Sequence, residues 1–166
     1  MTETVAIHRY LADRWNRDLL GKTPAQRADA AMVEGVLQGV KGAVTTPCYA
    51  GQKEKALECI QAKLPAVVQF MTRKFLTGDE PVYVDFFFFE LLELIVFLTD
   101  GGVFSDHPRL VQYHRDMANL PGLKEYLESD ACREKTYTFN NKHAQINNAG
   151  HIGALVQAAY AQHLKD

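Results

Sequence analysis

Glu3-Thr4-Val5-Ala6-Ile7-His8-Arg9-Tyr10-Leu11-Ala12 is the stretch whose reading decides the fold. Ile7, Tyr10, Leu11 and then Trp15 recur at spacings of three and four, the period that gathers side chains on one side of a helix. The spacing predicts an amphipathic helix from about Thr4 to Asn16, with those four residues as its apolar face. Leu20-Gly21-Lys22 then breaks it. Beyond this break the helical period continues, and no strand pair bracketed by hairpin turn signals occurs.

A second helix announces its start. Thr23 can cap, Pro24 suits the first helical position, and Gln26 sits where a capping box needs it. Its apolar positions are Met32, Val33, Val36, Leu37, Val40, Ala43 and Val44. Gly35, Gly39 and Gly42 fall on or near one stripe, and each costs about 1 kcal/mol relative to alanine in a helix interior. Such glycines predict a close neighbour: in the plainest reading another helix of the same chain, otherwise a partner subunit or a ligand. Residues 45–51 read as a loop leading to a third helix from about Gln52 to Phe75, which Pro65 should kink.

After a turn at 77–81 comes Asp85-Phe86-Phe87-Phe88-Phe89-Glu90-Leu91-Leu92-Glu93-Leu94-Ile95-Val96-Phe97-Leu98, apolar on every side and so central. It is shorter than a membrane span and carries two glutamates, which excludes an anchor. Pro108 opens a fifth helix, Pro121-Gly122 a sixth, and a polar stretch over 136–150 precedes a last helix from about Ile152 to Leu164. Ile152, Leu155, Val156, Ala159 and Tyr160 form an apolar face there, open to docking. The expected fold class is all-α, a bundle of about seven helices.

At 166 residues the chain suits one self-sufficient domain, and 18 basic against 20 acidic residues give no sign of nucleic acid. Cys48, Cys59 and Cys132 are an odd number with no paired spacing, which fits free thiols in the cytoplasm or another reducing compartment.

The opening decamer resembles the Gln-Ser-x-Ala-Ile-x-Arg-Tyr-Leu/Ile-Ala segment of cytosolic glutathione transferases. Further matches follow in order: Arg27-Ala28-Asp29 with Glu34, Cys48-Tyr49, Gly78 to Phe86, His107-Pro108-Arg109-Leu110, Leu120 to Leu127, and Phe139-Asn140-Asn141-Lys142. The nearest class is mu, with sigma close behind. The resemblance implies the all-helical C-terminal domain of that superfamily without its thioredoxin-like half. Residues 1–20 would be the remnant of the last helix of that half, 21–148 the helical domain, and 149–166 an added helix.

What the resemblance implies about a site is sparse. Glu3 and Thr4 fall where the family's Gln-Ser holds the glutamyl end of glutathione, and Tyr49 falls where a mu-class tyrosine faces the electrophile. Yet Glu3 sets a carboxylate where the ligand's own would lie, and like charges repel. Gly39 stands where an acidic residue of the partner subunit is expected. Val82 replaces the Ser or Thr cap of the buried helix, so either the start shifts to Asp79 or neighbouring contacts hold it. No catalytic residue is assigned. His107 and His114, seven apart, lack a third ligand and read as surface histidines, so no metal is expected. Glu90 and Glu93 read as the one polar stripe of the buried helix, or as a contact with a partner.

These features point to a non-catalytic module for protein assembly or scaffolding, as a homo-oligomer or with a protein partner, with no nucleic acid and no membrane insertion. It requires no cofactor, and glutathione is the ligand the resemblance allows. The alternatives are a fragment or subunit of a mu-like glutathione transferase, and a carrier of apolar ligands held between the second and third helices.

Overall fold

The computed structural model describes residues 2–133, 144–146 and 153–163, and every regular element among them is a helix. The Phe-rich helix is the axis. It spans Tyr83–Leu98, and of its 16 residues all but Phe86, Glu90, Leu94 and Phe97 are buried. Six others precede and follow it as α1 (Thr4–Trp15), α2 (Pro24–Tyr49), α3 (Lys53–Phe70), then α4 itself, α5 (Val103–Asp106), α6 (Pro108–Ala118) and α7 (Leu123–Glu128). Two more, α8 (Asp130–Arg133) and α9 (Gly153–His163), and a 3-10 turn at Arg17–Leu20 after α1 complete the described elements. The all-helical expectation holds. The polar stretch 136–150 and the Phe139–Lys142 match lie outside the described residues, save 144–146.

Helices α2 and α3 form an antiparallel hairpin against α4. Val33, Leu37, Val40 and Val44 of α2 are buried at three- and four-residue spacings, and Ile60, Leu64 and Val67 of α3 answer them. Thr23 Oγ1 accepts from the Gln26 N–H at 3.1 Å, as its capping role requires, while Gln26 Oε1 reaches back to the Lys22 N–H at 2.8 Å. Residues 45–49, read as loop, are instead the last turn of α2. Pro47 forfeits a single helical bond there. The Thr45 hydroxyl donates to the Lys41 carbonyl at 2.8 Å, and the Gln52 N–H closes on the Pro47 carbonyl at 3.0 Å with Gly51 left-handed at φ 71°. At its other end α3 stops at Phe70, short of the expected Phe75, because residues 71–82 take a different set of partners.

Asp85 organises those partners. Its carboxylate accepts the Val82 N–H at 2.8 Å, the Leu76 N–H at 3.0 Å and the Tyr113 hydroxyl at 3.2 Å. The start of α4 therefore remains at Tyr83, with Val82 as its cap, and the missing cap hydroxyl is replaced by backbone: the Asp85 N–H donates to the Val82 carbonyl at 2.9 Å. Met71, Phe75 and Leu76 are drawn into the core by the same contacts.

Two faces differ from expectation. On α1, Ile7, Tyr10, Leu11 and Trp15 point outward, at 37, 50, 42 and 71% exposure, and Ala12 is the buried residue. Met32 of α2 is likewise exposed. The apolar face of α9, in contrast, is not open for docking. Val156 is buried, Leu155 and Tyr160 pack on the core, and the Tyr160 hydroxyl lies 2.5 Å from His114 Nδ1. Ile152 lies outside the described residues.

Candidate interaction site

The polar side of α1 holds it to the bundle. The Arg9 guanidinium donates to both oxygens of Glu34 on α2, at 3.0 and 3.1 Å, and the Tyr83 hydroxyl of α4 donates to the same carboxylate at 2.6 Å. A planar guanidinium against a carboxylate in this two-bond geometry fixes orientation as well as distance. Glu34 is buried with its charge answered, and burial together with the Glu34 bond pushes the Tyr83 phenol up to about 12. Beside this staple His8 lies half-buried on the Phe87 ring, which Lys41 also covers at 5.0 Å. Burial lowers the His8 pKa, with Glu90 opposing.

With Arg9 turned to Glu34 and Tyr83, the large apolar residues of α1 face outward together with Asp13 and Arg14. On α2 the glycine stripe is open as well: a Cβ built on Gly35, Gly39 or Gly42 would meet nothing within 4 Å. The intramolecular crossing expected there is absent among the described residues. Exposed aromatic and aliphatic residues on α1, and a bare backbone stripe on α2, are each surfaces that can admit another chain closely.

Glu3 and Thr4, the positions that the resemblance assigns to glutathione, and Tyr49, the one it assigns to the electrophile, are all exposed. Glu3 caps α1 without a side-chain hydrogen bond, Thr4 is its exposed first residue, and Tyr49 is an exposed residue in the last turn of α2. No hydrogen bond or ring contact joins Glu3 or Thr4 to Tyr49 among the described residues. Gly39 is exposed and offers only backbone. A recess of about 440 Å3 does lie between α2 and α3, lined by Gly42, Ala43, Pro47, Lys55 and Cys59 among others. No disulfide joins the cysteines, and burial raises the Cys48 thiol.

The histidines also separate. His107 precedes α6, whereas His114 is buried among Phe89, Phe104 and Tyr160, not at the surface, with Nε2 3.8 Å from Glu93. Glu90 is exposed and Glu93 buried, so they do not form one stripe. Among the described residues no cluster of three or more potential ligands could hold a metal ion, and no helix is long and apolar enough to cross a membrane. Sequence reading missed the Arg9–Glu34–Tyr83 staple. Its signal was Glu34, a carboxylate set among the apolar Met32, Val33, Val36 and Leu37 of α2.

Comparison with known proteins places these observations. The family described as glutathione S-transferase, C-terminal domain, matches residues 41–130. The class-mu 26 kDa isozyme 51 of Fasciola hepatica is 31% identical over 135 residues, covering 78% of this chain and 61% of the relative. The class-mu 26 kDa isozyme of Schistosoma japonicum is 27% identical over 134 residues, covering 78% of this chain and 60% of the relative. The chain thus spans about 60% of the length of these relatives. The crystal structure of the glutathione S-transferase Blo t 8 superposes with a TM-score of 0.76 at 24% identity, covering 89% of this chain and 71% of that one, a likeness of fold.

Proposed function

The chain belongs to the glutathione S-transferase family through the family's C-terminal helical domain, and on that premise we propose that it serves as a helical assembly module. The observation that carries this reading is the outward apolar face of α1, and the open glycine stripe of α2 adds to it. Side chains of this size left in water are the residues that dominate interfaces once covered. The partner is a protein surface, either a second copy or a different chain. Light scattering across a wide range of concentrations tests it, with Tyr10→Glu and Trp15→Asp as controls that leave the core untouched. Assembly that both substitutions abolish is the expected result. A wild-type chain that stays monomeric at every concentration, with no co-purifying protein, overturns it.

A second reading is favoured by the mu-class relatives: the helical part of an enzyme that conjugates glutathione to electrophiles, with Glu3 and Thr4 toward glutathione and Tyr49 toward the electrophile. All three residues lie at exposed positions. A conjugation assay with glutathione and an aryl halide separates the two readings. A rate above background that Tyr49→Phe lowers favours the enzyme.

A further inference from the structure

The side of α2 that its first two turns hold away from the core is not open to solvent along its length. Residues 70–80 fold back across it from α3 and leave a cleft of about 630 Å3, within the range of sites that hold small organic ligands. Ala25, Asp29 and Met32 of α2 line one side at helical spacing, and Val33, Phe75 and Leu76, all buried, contribute an apolar floor. The opposite wall is braced from behind. The Leu76 N–H donates to Asp85, the Phe75 N–H donates to the Gly78 carbonyl at 2.8 Å, and the Arg109 guanidinium donates to the Arg73 and Lys74 carbonyls. A preformed cavity of this kind binds without a large ordering cost.

Its charges narrow the ligand. Lys22 and Glu80 pair with each other at one end of the cleft, where Gln26 also approaches Gly78. What remains is one cation, Arg73, and two anions, Asp29 and Asp79, all exposed and none in an ion pair among the described residues. A polyanion such as a nucleotide meets more acid than base here. A purely apolar molecule would strand the polar half of the lining. A molecule with both charges and an apolar body satisfies every part, with Met32 and Phe70, both partly exposed, at the apolar end.

We propose that this cleft is a binding site for a short zwitterionic peptide with an apolar side chain. Its carboxylate meets Arg73, its ammonium meets Asp29 or Asp79, its amide meets the Gln26 side chain, and its side chain lies against Met32 and Phe70, above the buried Val33, Phe75 and Leu76. The cleft is apart from the α1 face, and its test reads peptide binding rather than oligomeric state, so its failure and that of the assembly reading are distinguishable.

The test titrates the labelled protein with the dipeptide Leu-Phe, read by amide chemical shifts and calorimetry, beside N-acetylated and C-amidated forms of the same dipeptide. The expected result is saturable binding with shifts confined to 22–33 and 70–80. Each cap should weaken binding roughly tenfold, the effect of losing one charge-assisted contact. Arg73→Ala, Asp29→Asn and Met32→Ala change exposed residues and should each weaken binding while leaving the melting temperature in place. No saturable shift below about 10 mM overturns the proposal. So does equal binding of the doubly capped peptide, which would mark a nonspecific apolar patch, or shifts that map to another part of the molecule.

Discussion

Replacing Asp85 by alanine should cost about 4 kcal/mol of stability at neutral pH, from two backbone groups. The carboxylate is fully buried and accepts the Val82 and Leu76 N–H groups, and alanine leaves both enclosed without a partner. Each such orphan costs about 1–3 kcal/mol. Tyr113 loses less, because its hydroxyl keeps the Asp85 carbonyl at 3.0 Å. Against a total stability of about 5–15 kcal/mol the loss is large. The same site makes a signed pH prediction. Burial pushes the Asp85 carboxyl up to about 6, against the downward pull of its two N–H donors. An acid whose folded pKa lies above its unfolded one binds more protons when folded, so its contribution is largest below the unfolded value and falls as pH rises through about 6. Alanine has no such dependence, and the other titrating groups cancel in the comparison. The gap between wild type and Asp85→Ala should therefore be about 1 kcal/mol wider near pH 5 than near pH 7. Urea denaturation followed by circular dichroism at the two pH values measures it. A gap under about 1 kcal/mol at pH 7 would refute the orphaned-donor account, and a gap that narrows on acidification would refute the sign.

Thr77 has a buried hydroxyl with no hydrogen-bond partner among the described residues, so Thr77→Val should be neutral or raise stability by up to about 1 kcal/mol; a clear loss in denaturant midpoint would show a partner. Glu34→Ala removes the acceptor of Arg9 and leaves the Tyr83 hydroxyl enclosed, and with Arg9 itself 47% exposed the expected cost is about 2 kcal/mol. Hydrogen exchange should quicken in α1 well before α4, and unchanged α1 exchange would dismiss the staple. Tyr160→Phe keeps the ring contacts to Phe104 and Arg115 but loses the bond to His114, a cost of about 1 kcal/mol. It should show as faster exchange and proteolysis within 153–163.

The bundle was legible because its core obeys one local rule. Val33, Leu37, Val40 and Val44, or Ile60, Leu64 and Val67, declare their face by spacing, and α4 declares its central place by having almost no polar face. What spacing does not carry is the identity of the neighbour. Residues 45–49 look like a loop because Pro47 breaks the local pattern. The helix survives there through the Thr45 hydroxyl and the Gln52 N–H, and a crossing strand of chain adds to it: the Ile146 N–H donates to the Cys48 carbonyl at 3.1 Å. Gly35, Gly39 and Gly42 signalled a close approach, and the described chain supplies none. The glutathione positions were placed by resemblance alone, and resemblance fixes order along the chain, not distance across it.

Helix α1 shows most plainly how pattern and packing part company. Its four large apolar residues form the face that a surface helix ordinarily buries, yet Arg9 turns the helix so that they point outward. Burying a side chain of this kind completely is worth about 1.5–3 kcal/mol, so four that are roughly half exposed hold about 3–6 kcal/mol in reserve. That exceeds the roughly 2 kcal/mol assigned to the staple, yet it barely meets the 4–15 kcal/mol that association costs. A partner that took up the α1 face alone would therefore bind weakly. The stripe of Gly35, Gly39 and Gly42 on α2 is open at each glycine, and a second chain can add backbone-close contact there. Stable assembly then requires both surfaces. Bulk placed on the stripe, as in Gly39→Leu, should weaken association as much as charge placed on α1, and association that tolerates leucine there would confine the interface to α1.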